Sequence, residues 1–209
     1  EIAKMSIFHA LNQKAIAKLY AKEHGLKYND LNLIVAHLGG GVSVGIHSKG
    51  RVIDVNDALR GEGPFSPERS GGLPANALVD LCFSGKYTHH QVRKMVCGAG
   101  GVVSYLGTNS FMEVEKRMAE GDKEAQLIGD AFIYQLAKEI GAMSVVVKGK
   151  VDAILVTGGI AYGKEMMDQL SDYVKFIAPV FIYPGEDEMG ALASNGLAVL
   201  DGTEEIKIY

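Results

Sequence analysis

Glycine is concentrated in a few short runs, two of which directly follow short apolar segments. It makes up 26 of the 209 residues, about 12 % compared with roughly 7 % in average proteins. The runs lie at 39–41, within 61–72, at 98–101 and at 158–159. Because glycine has no Cβ, such runs let the backbone turn tightly or come close to another group. The sequence therefore predicts strands that end in loops with closely approaching backbone.

The order of the apolar patterns predicts an α/β domain. Five short segments have the composition or the period-two alternation of strands: 33–36, 42–46, 51–55, 153–157 and 180–183. Seven segments have helical spacing or helix-capping residues: 6–23, 75–83, 89–96, 111–119, 122–147, 163–174 and 187–200. Three strands, then helices, then alternating strands and helices indicate a single domain, a mixed sheet covered by helices.

The first and the longest helices carry the most specific expectations. Ser6 is the predicted N-cap of the first helix, on which Leu11, Ala15 and Leu19 share one face. The longest helix is capped by Asp122 and is apolar on several faces, so it is expected to be central and buried.

Composition excludes several classes of function. The formal net charge is −4, whereas nucleic acids and anionic membranes attract basic proteins, so neither partner is expected. No apolar run is long enough to span a bilayer, and no leader peptide is visible. Cys82 and Cys97 form no disulfide or metal-binding pattern. We expect both thiols to be buried and the protein to be cytoplasmic.

Two glycine turns are the candidate binding loops, since ligands of such sheets bind beyond the carboxyl ends of the strands. Glycines 39–41 separate two strands and follow His37, so their N–H groups and the imidazole can converge on a phosphate. The alternative is a flexible hairpin beside a core histidine. Residues 158–161 end a buried strand before a helix, which suits a nucleotide lying against the backbone. The alternative there is a plain strand-to-helix turn.

Other charged residues are weaker candidates. Arg69, in the Gly/Pro-rich segment 60–74, can clamp an oxyanion or be merely solvated. The acidic residues 186–188 can hold Mg²⁺ beside a nucleotide or complement a helix dipole. His89 and His90 have no partner at metal-ligand spacing and are expected on the surface. Composition and spacing alone do not identify a reaction.

Five segments, in order along nearly the whole chain, resemble the acetate and butyrate kinase family. They are SIFHALNQKA from residue 6, HLGGGVSV from residue 37, GPFSPERSG from residue 63, LVTGGIA from residue 155 and YPGEDE from residue 183. The resemblance implies a ribonuclease-H-like domain of the actin-like ATPase superfamily, with a five-stranded mixed sheet and helices on both faces.

What is present resembles only the C-terminal half of that family, and the sequence begins at Glu1 rather than at methionine. Residues 1–209 are therefore expected to be the C-terminal domain of a two-domain carboxylate kinase. The family's N-terminal half supplies another phosphate loop, acyl-binding residues and a catalytic aspartate. The resemblance implies that this chain is inactive alone, that it partners the N-terminal half, and that it self-associates as a homodimer or larger homo-oligomer.

The family's functional positions carry over residue by residue, with ATP or ADP and Mg²⁺ as the implied ligands. His37 and Arg69 match residues implied to touch the transferring phosphoryl group and to stabilise transition-state charge. The implied nucleotide-binding residues are Gly39, Gly40, Gly41, Ser43, Gly158, Gly159, Ile160 and Ala161. The implied metal-side carboxylate is Glu188, in preference to Glu186.

The implied reaction is phosphorylation of a carboxylate by ATP to give an acyl phosphate and ADP. Gly40, at a position where acetate kinases usually have asparagine, favours butyrate or a short branched acid. The alternatives are an acetate or propionate kinase or, for this chain alone, a non-catalytic nucleotide-binding and dimerisation module.

Overall fold

A five-stranded mixed sheet forms the centre of the molecule. The computed structural model describes residues 3–186 and 188–202, and at positions 188, 194 and 195 only the backbone. The strands are β1 (Asn32–Leu38), β2 (Val42–Ser48), β3 (Arg51–Val55), β4 (Ala153–Gly158) and β5 (Val180–Pro184). Their order across the sheet is β3-β2-β1-β4-β5. β1 pairs antiparallel with β2 and parallel with β4, and β4 pairs parallel with β5.

Helices cover both faces of this sheet. In chain order they are α1 (Ala10–Glu23), α2 (Ala75–Phe83), α3 (His89–Val96), α4 (Val102–Leu106), α5 (Phe111–Ala119), α6 (Lys123–Val146), α7 (Lys164–Val174) and α8 (Glu188–Leu200). Short 3₁₀ helices lie at Tyr28–Asp30 and Gly159–Tyr162. The predicted five-stranded mixed sheet with helices on both faces is confirmed, and α4 is an additional helix.

The alternation of side chains along β1 divides the core into two layers. Leu33 and Val35 face α1 together with residues of β4. Ile34, Ala36 and Leu38 point to the opposite face and pack with residues of α6 and α7. A strand that is buried on both faces needs a continuous apolar sequence, which is the pattern at 33–36.

The predicted start of α1 at Ser6 is wrong, and the face that Leu11, Ala15 and Leu19 share is not the buried one. The helix begins at Ala10 with His9 as its N-cap. The segment before it runs beside β3 and the turn that follows: Lys4 Nζ donates to Asp54 Oδ1, and Ala58 N–H donates to the carbonyl oxygen of Ile7. The buried residues of α1 are Asn12, Gln13, Ala17, Tyr20 and Ala21, whereas Leu11 and Leu19 are exposed. The inner face contains polar residues, so an apolar pattern could not locate it.

The prediction of a central, buried α6 is right for one side of the helix only, and the prediction that both thiols are buried is wrong. α6 buries one face, which includes Phe132, but Leu127 and Val145 on its other side are 66 % and 71 % exposed. Both cysteines are exposed free thiols, since α2 has no buried residue and Cys97 follows α3, whose sole buried residue is Val92. His89 and His90 lie on the surface, as predicted. No helix in the described part of the chain is long and apolar enough to cross a membrane.

Candidate active site

Three chain segments meet at one edge of the sheet, where β1, β4 and β5 end. His37 pairs with Thr157, and Thr157 pairs with Tyr183, in the parallel register. Beyond the strands, Gly158 and Gly185 exchange two backbone hydrogen bonds of 3.1 and 3.0 Å. This bridge brings the segment after β5 to the loop after β1, and Glu186 Oε1 lies 3.1 Å from His37 Nε2.

A cavity of about 420 Å³ opens at this edge. It is lined by Gly39, Gly40, Pro67, Glu68, Asn109, Ser110, Phe111, Met112, Gly159, Ile160 and Glu186. The segment 109–112 was not among the predicted site residues. Asn109 Nδ2 donates to Glu68 Oε1 at 2.9 Å, which ties the start of α5 to the loop that carries Arg69. The only sequence signal there was Ser110 as a helix N-cap, and this signal indicates a helix start rather than a site.

His37 is a neutral residue beneath the cavity. Its side chain is 2 % exposed, and its Nδ1 donates to Asn12 Oδ1 at 2.8 Å. Burial, with a smaller contribution from His9, lowers the pKa of His37 to about 3. A neutral ring with its proton on Nδ1 has a lone pair on Nε2, and that buried atom has no hydrogen-bond partner among the described residues. The 3.1 Å approach to Glu186 therefore joins two acceptors and is not an ion pair.

Hydrogen bonds to backbone carbonyl groups hold the Arg69 guanidinium against the loop formed by residues 39–41. Its Nη1 donates to the carbonyl oxygen of Gly40, and its Nε donates to that of Leu59 at 3.4 Å. Ser66 Oγ also donates to Gly40 O, at 2.9 Å. A Cβ at Gly41 would lie 3.0 Å from Ala58 O and 3.3 Å from Arg69 Nη1, so glycine is what allows the guanidinium to lie against this loop.

The predicted residues fall into two groups by their depth. Gly39, Gly40, Gly159 and Ile160 line the cavity together with Glu186. Gly41, Ser43, Gly158 and Ala161 are buried behind it, where they shape or support the loops. Glu188 is the first residue of α8, and its side chain lies outside the described part of the structure.

α1 contributes side chains that sequence reasoning missed. The half-buried ring of His9 stacks on His37, with a centroid separation of 3.7 Å and an interplanar angle of 17°. Asn12 accepts from His37, and Gln13 Nε2 donates to Ser43 Oγ at 2.8 Å. Buried polar residues on the inner face of a helix were the available signal, but they became informative only once that face was known.

The geometry fits the phosphates of a nucleotide and a phosphate-bound cation. A Cβ at Gly39 would lie 3.0 Å from His37 Nε2 and 3.2 Å from Glu186 Oε1, so the backbone here is bare beside both acceptors. Two facing acceptors repel unless an electropositive group lies near them. The described residues contain no group of three or more His, Cys, Asp or Glu that could hold a metal, but Mg²⁺ beside a nucleotide commonly uses one or two carboxylates plus phosphate oxygens.

The buried His47 behind the site makes stability depend on pH. Burial, and secondarily the charge of Lys14, lowers its pKa from 6.5 to about 4. The folded state therefore binds fewer protons than the unfolded state between these values, so stability is fully present above pH 6.5 and is lost as the pH falls toward 4. From pH 7 to pH 5 we expect His47 to account for a loss of about 2 kcal/mol in the free energy of unfolding.

Urea unfolding at both pH values, with the wild-type protein and His47→Gln, measures this loss. The variant has no titrating group at position 47, so its free energy of unfolding should fall less between pH 7 and pH 5. Equal losses in the two proteins would contradict the assignment to His47.

A larger cavity of about 670 Å³ lies elsewhere, between α2, α3 and the turn at Leu59 and Arg60. Neither glycine loop lines it, so its size does not make it the phosphate site.

Solved structures with the same architecture define the fold class. The chain is similar to an acetate kinase from Porphyromonas gingivalis, with a TM-score of 0.83, 21 % identity and coverage of 92 % of this chain and 55 % of that one. It is also similar to a propionate kinase from Francisella tularensis, with a TM-score of 0.78, 21 % identity and coverage of 92 % and 59 %. The domain therefore has the actin-like ATPase fold.

Sequence comparison identifies the family. The acetokinase family profile matches residues 4–176, and the chain belongs to this family. It is 61 % identical over all 209 residues to butyrate kinase 1 of Clostridium acetobutylicum and 52 % identical to a probable butyrate kinase of Phocaeicola vulgatus. In both cases it covers 59 % of the relative's length, so the chain spans little more than half of these proteins.

Proposed function

We propose that this chain is the nucleotide-side half of a carboxylate kinase, which transfers the γ-phosphoryl group of ATP to a short-chain carboxylate and produces an acyl phosphate and ADP. One observation carries the proposal. Exposed glycine backbone and Glu186 line one cavity, Glu186 lies 3.1 Å from the buried Nε2 of His37, and Arg69 is held against the loop formed by residues 39–41. Membership of the acetokinase family supports it.

The residues present suit the electrostatics of phosphoryl transfer. The reaction passes through a loose, anionic transition state, so positioning and charge neutralisation contribute more than covalent chemistry. Arg69 keeps a guanidinium beside the loop formed by residues 39–41, where it neutralises charge on the transferring group. The N–H groups of the exposed residues Gly40 and Gly159 can donate to phosphate oxygens. Because Gly39 has no side chain, it leaves space for these oxygens in the cavity.

Mg²⁺, when bound with the nucleotide, would neutralise phosphate charge. Glu186, which lines the cavity beside His37, would hold it directly or through water, and Glu188 remains the alternative; the other carboxylate of the cavity, Glu68, accepts from Asn109. His37 stays neutral because it is buried, so it adds no cationic charge to the site and offers an acceptor at Nε2.

Butyrate, or a short branched acid, is the proposed acyl substrate. The names of the relatives at 61 % and 52 % identity support butyrate, as does Gly40 in the first glycine loop. Acetate or propionate is the alternative, and both names occur among the structural neighbours at 21 % identity.

The proposal assigns activity to the chain together with an N-terminal half, in the cytoplasm. The free, exposed thiols of Cys82 and Cys97 suit a reducing compartment. Self-association through this half is supported by the exposed apolar side of α6 and by Phe176 after α7, which is 82 % exposed.

Trapping the acyl phosphate as a hydroxamate tests the function. The chain is co-expressed with the N-terminal half of a close relative, and ATP is supplied with acetate, propionate, butyrate or isobutyrate in the presence of hydroxylamine. We expect hydroxamate mainly from the four-carbon acids, and none from this chain alone. A preference for acetate would overturn the substrate assignment and leave the kinase assignment in place.

A nucleotide-binding and dimerisation module is the second candidate for the chain alone, because the cavity is formed without any further segment. Binding of ADP measured by calorimetry, dimers in light scattering and no hydroxamate from any acid, even with the N-terminal half, would favour this module over the kinase.

A further inference from the structure

Two side chains hold the peptide unit between Gly40 and Gly41 by its carbonyl oxygen. This oxygen accepts one hydrogen bond from Ser66 Oγ, at 2.9 Å, and another from Arg69 Nη1. The side chain of Ser66 is buried, since the residue is 1 % exposed. Gly40 lines the cavity of the candidate site, whereas Ser66 and Arg69 do not. The carbonyl group of Gly40 therefore points away from the cavity.

The N–H group of the same peptide unit, which belongs to Gly41, points the other way. The C=O and N–H groups of a planar trans peptide point in opposite directions, so this N–H is directed toward the cavity. Gly41 is buried, and its N–H has no hydrogen-bond partner among the described residues. Buried backbone N–H groups are almost always paired, and those of a glycine turn bind anions. This N–H is therefore a donor available to an anionic ligand.

The orientation of this peptide unit depends on its hydrogen bonds, because a glycine lies on each side of it. With no Cβ at Gly40 or Gly41, the backbone can adopt both orientations of the peptide unit. The flipped orientation would turn the carbonyl oxygen of Gly40 toward bound phosphate oxygens, and acceptors that face each other repel. A donor on the side away from the cavity excludes the flipped orientation.

Ser66 is better suited to this role than Arg69. Its backbone is fixed at both ends, since its N–H donates to Arg69 O at 3.0 Å and its carbonyl oxygen accepts from Val102 N–H at 3.0 Å. In the proposed reaction, the Arg69 guanidinium also neutralises charge on the transferring phosphoryl group. The Ser66 hydroxyl has no second partner in the part of the chain that the structure describes, so it can hold the peptide unit throughout the reaction.

We propose that Ser66 is a positioning residue: its hydroxyl group fixes the Gly40–Gly41 peptide unit so that the Gly41 N–H donates to a phosphate oxygen of the nucleotide. This inference rests on the proposed function for the identity of the ligand. The orientation of the peptide unit rests only on the hydrogen bonds to Gly40 O.

Ser66→Ala removes the hydroxyl donor and leaves the carbonyl group of Gly40 to Arg69 alone. Ser70→Ala is the matched control, because Ser70 lies in the same segment and its Oγ donates to Gly71 O at 3.0 Å. The control therefore loses a hydroxyl hydrogen bond of the same kind without changing the contacts of Gly40. Thermal unfolding of both variants shows that each is folded at the temperature of the binding measurements.

Two measurements separate positioning from a merely structural role. The carbonyl ¹³C chemical shift of Gly40, read through the amide of Gly41 in labelled protein, reports the hydrogen bonds of the peptide unit. It should move upfield in Ser66→Ala and stay unchanged in Ser70→Ala. By calorimetry, ADP affinity should fall roughly three- to tenfold in Ser66→Ala, as for the loss of one net hydrogen bond, and stay within about twofold of the wild type in Ser70→Ala.

An unchanged Gly40 carbonyl shift in folded Ser66→Ala, or an ADP affinity equal to that of the wild type, would overturn the proposal. Should Ser66→Ala fail to fold, Ser66→Cys keeps the shape of the side chain with a weaker donor, and both effects should be present but smaller. Failure of the wild-type chain to bind ADP would count against the proposed function. The carbonyl shift would still decide whether Ser66 holds the peptide unit.

Discussion

Arg69→Gln is expected to lower kcat for acyl phosphate formation by about 100- to 1000-fold, on the order of 3–4 kcal/mol of transition-state stabilisation, as for other preorganised donors at developing charge. Glutamine keeps a donor at the position but removes the cation and the forked geometry. Arg69→Lys keeps the positive charge but not the forked guanidinium, so its kcat should lie between those of the wild type and of Arg69→Gln. The measurement is the hydroxamate assay in the presence of the N-terminal half.

Arg51→Gln is the matched control for this prediction. Arg51 is exposed and lies at the β2–β3 turn, where it pairs with Ser48 at the end of the sheet opposite the cavity. The Arg51→Gln variant should therefore retain the wild-type kcat. Because Arg69 also donates to the carbonyl groups of Gly40 and Leu59, thermal unfolding of each variant separates loss of catalysis from loss of structure. Wild-type turnover by a folded Arg69→Gln protein would remove Arg69 from the mechanism.

Much of the fold could be predicted because its signals are local. The strand at β1 is apolar on both faces, glycines follow β1 and end β4, and Asp122 accepts hydrogen bonds from the first turn of α6. Each of these signals lies within a few residues of the feature that it specifies. The short helix α4 was missed because five residues between glycines carry no periodicity.

The site was predictable only in part. The loop residues were found because glycine runs after strands have a direct physical meaning. The contribution of α1 was missed because hydrophobic periodicity selects the apolar side of a helix, whereas its inner face presents Asn12 and Gln13 to His37 and Ser43. Residues 109–112 reach the cavity through a contact with Glu68 that is distant in sequence, and a single sequence contains no signal for such a pairing.

Two adjacent glycines should respond very differently to alanine. Gly158 has φ +95° and ψ 174°, a region open almost only to glycine at a cost of about 1–3 kcal/mol for other residues. A Cβ there would also lie 2.4 Å from Leu38 O and 2.6 Å from Leu38 C. We expect Gly158→Ala to reduce the free energy of unfolding by more than about 3 kcal/mol, because strain and a backbone clash add.

Gly159→Ala is the matched control, since a Cβ at that position meets nothing within 4 Å. Its free energy of unfolding should stay within about 0.5 kcal/mol of the wild type, and urea titration of the two variants side by side measures the contrast. Similar stabilities for both variants would contradict the close approach of β4 to the end of β1.

The backbone position of Gly158 also affects the geometry of the cavity. Gly158 exchanges two hydrogen bonds with Gly185, and the residue after Gly185 is Glu186, which lies 3.1 Å from His37. Any Gly158→Ala protein that still folds should therefore bind ADP more weakly than the wild type, because the cavity edge itself must shift.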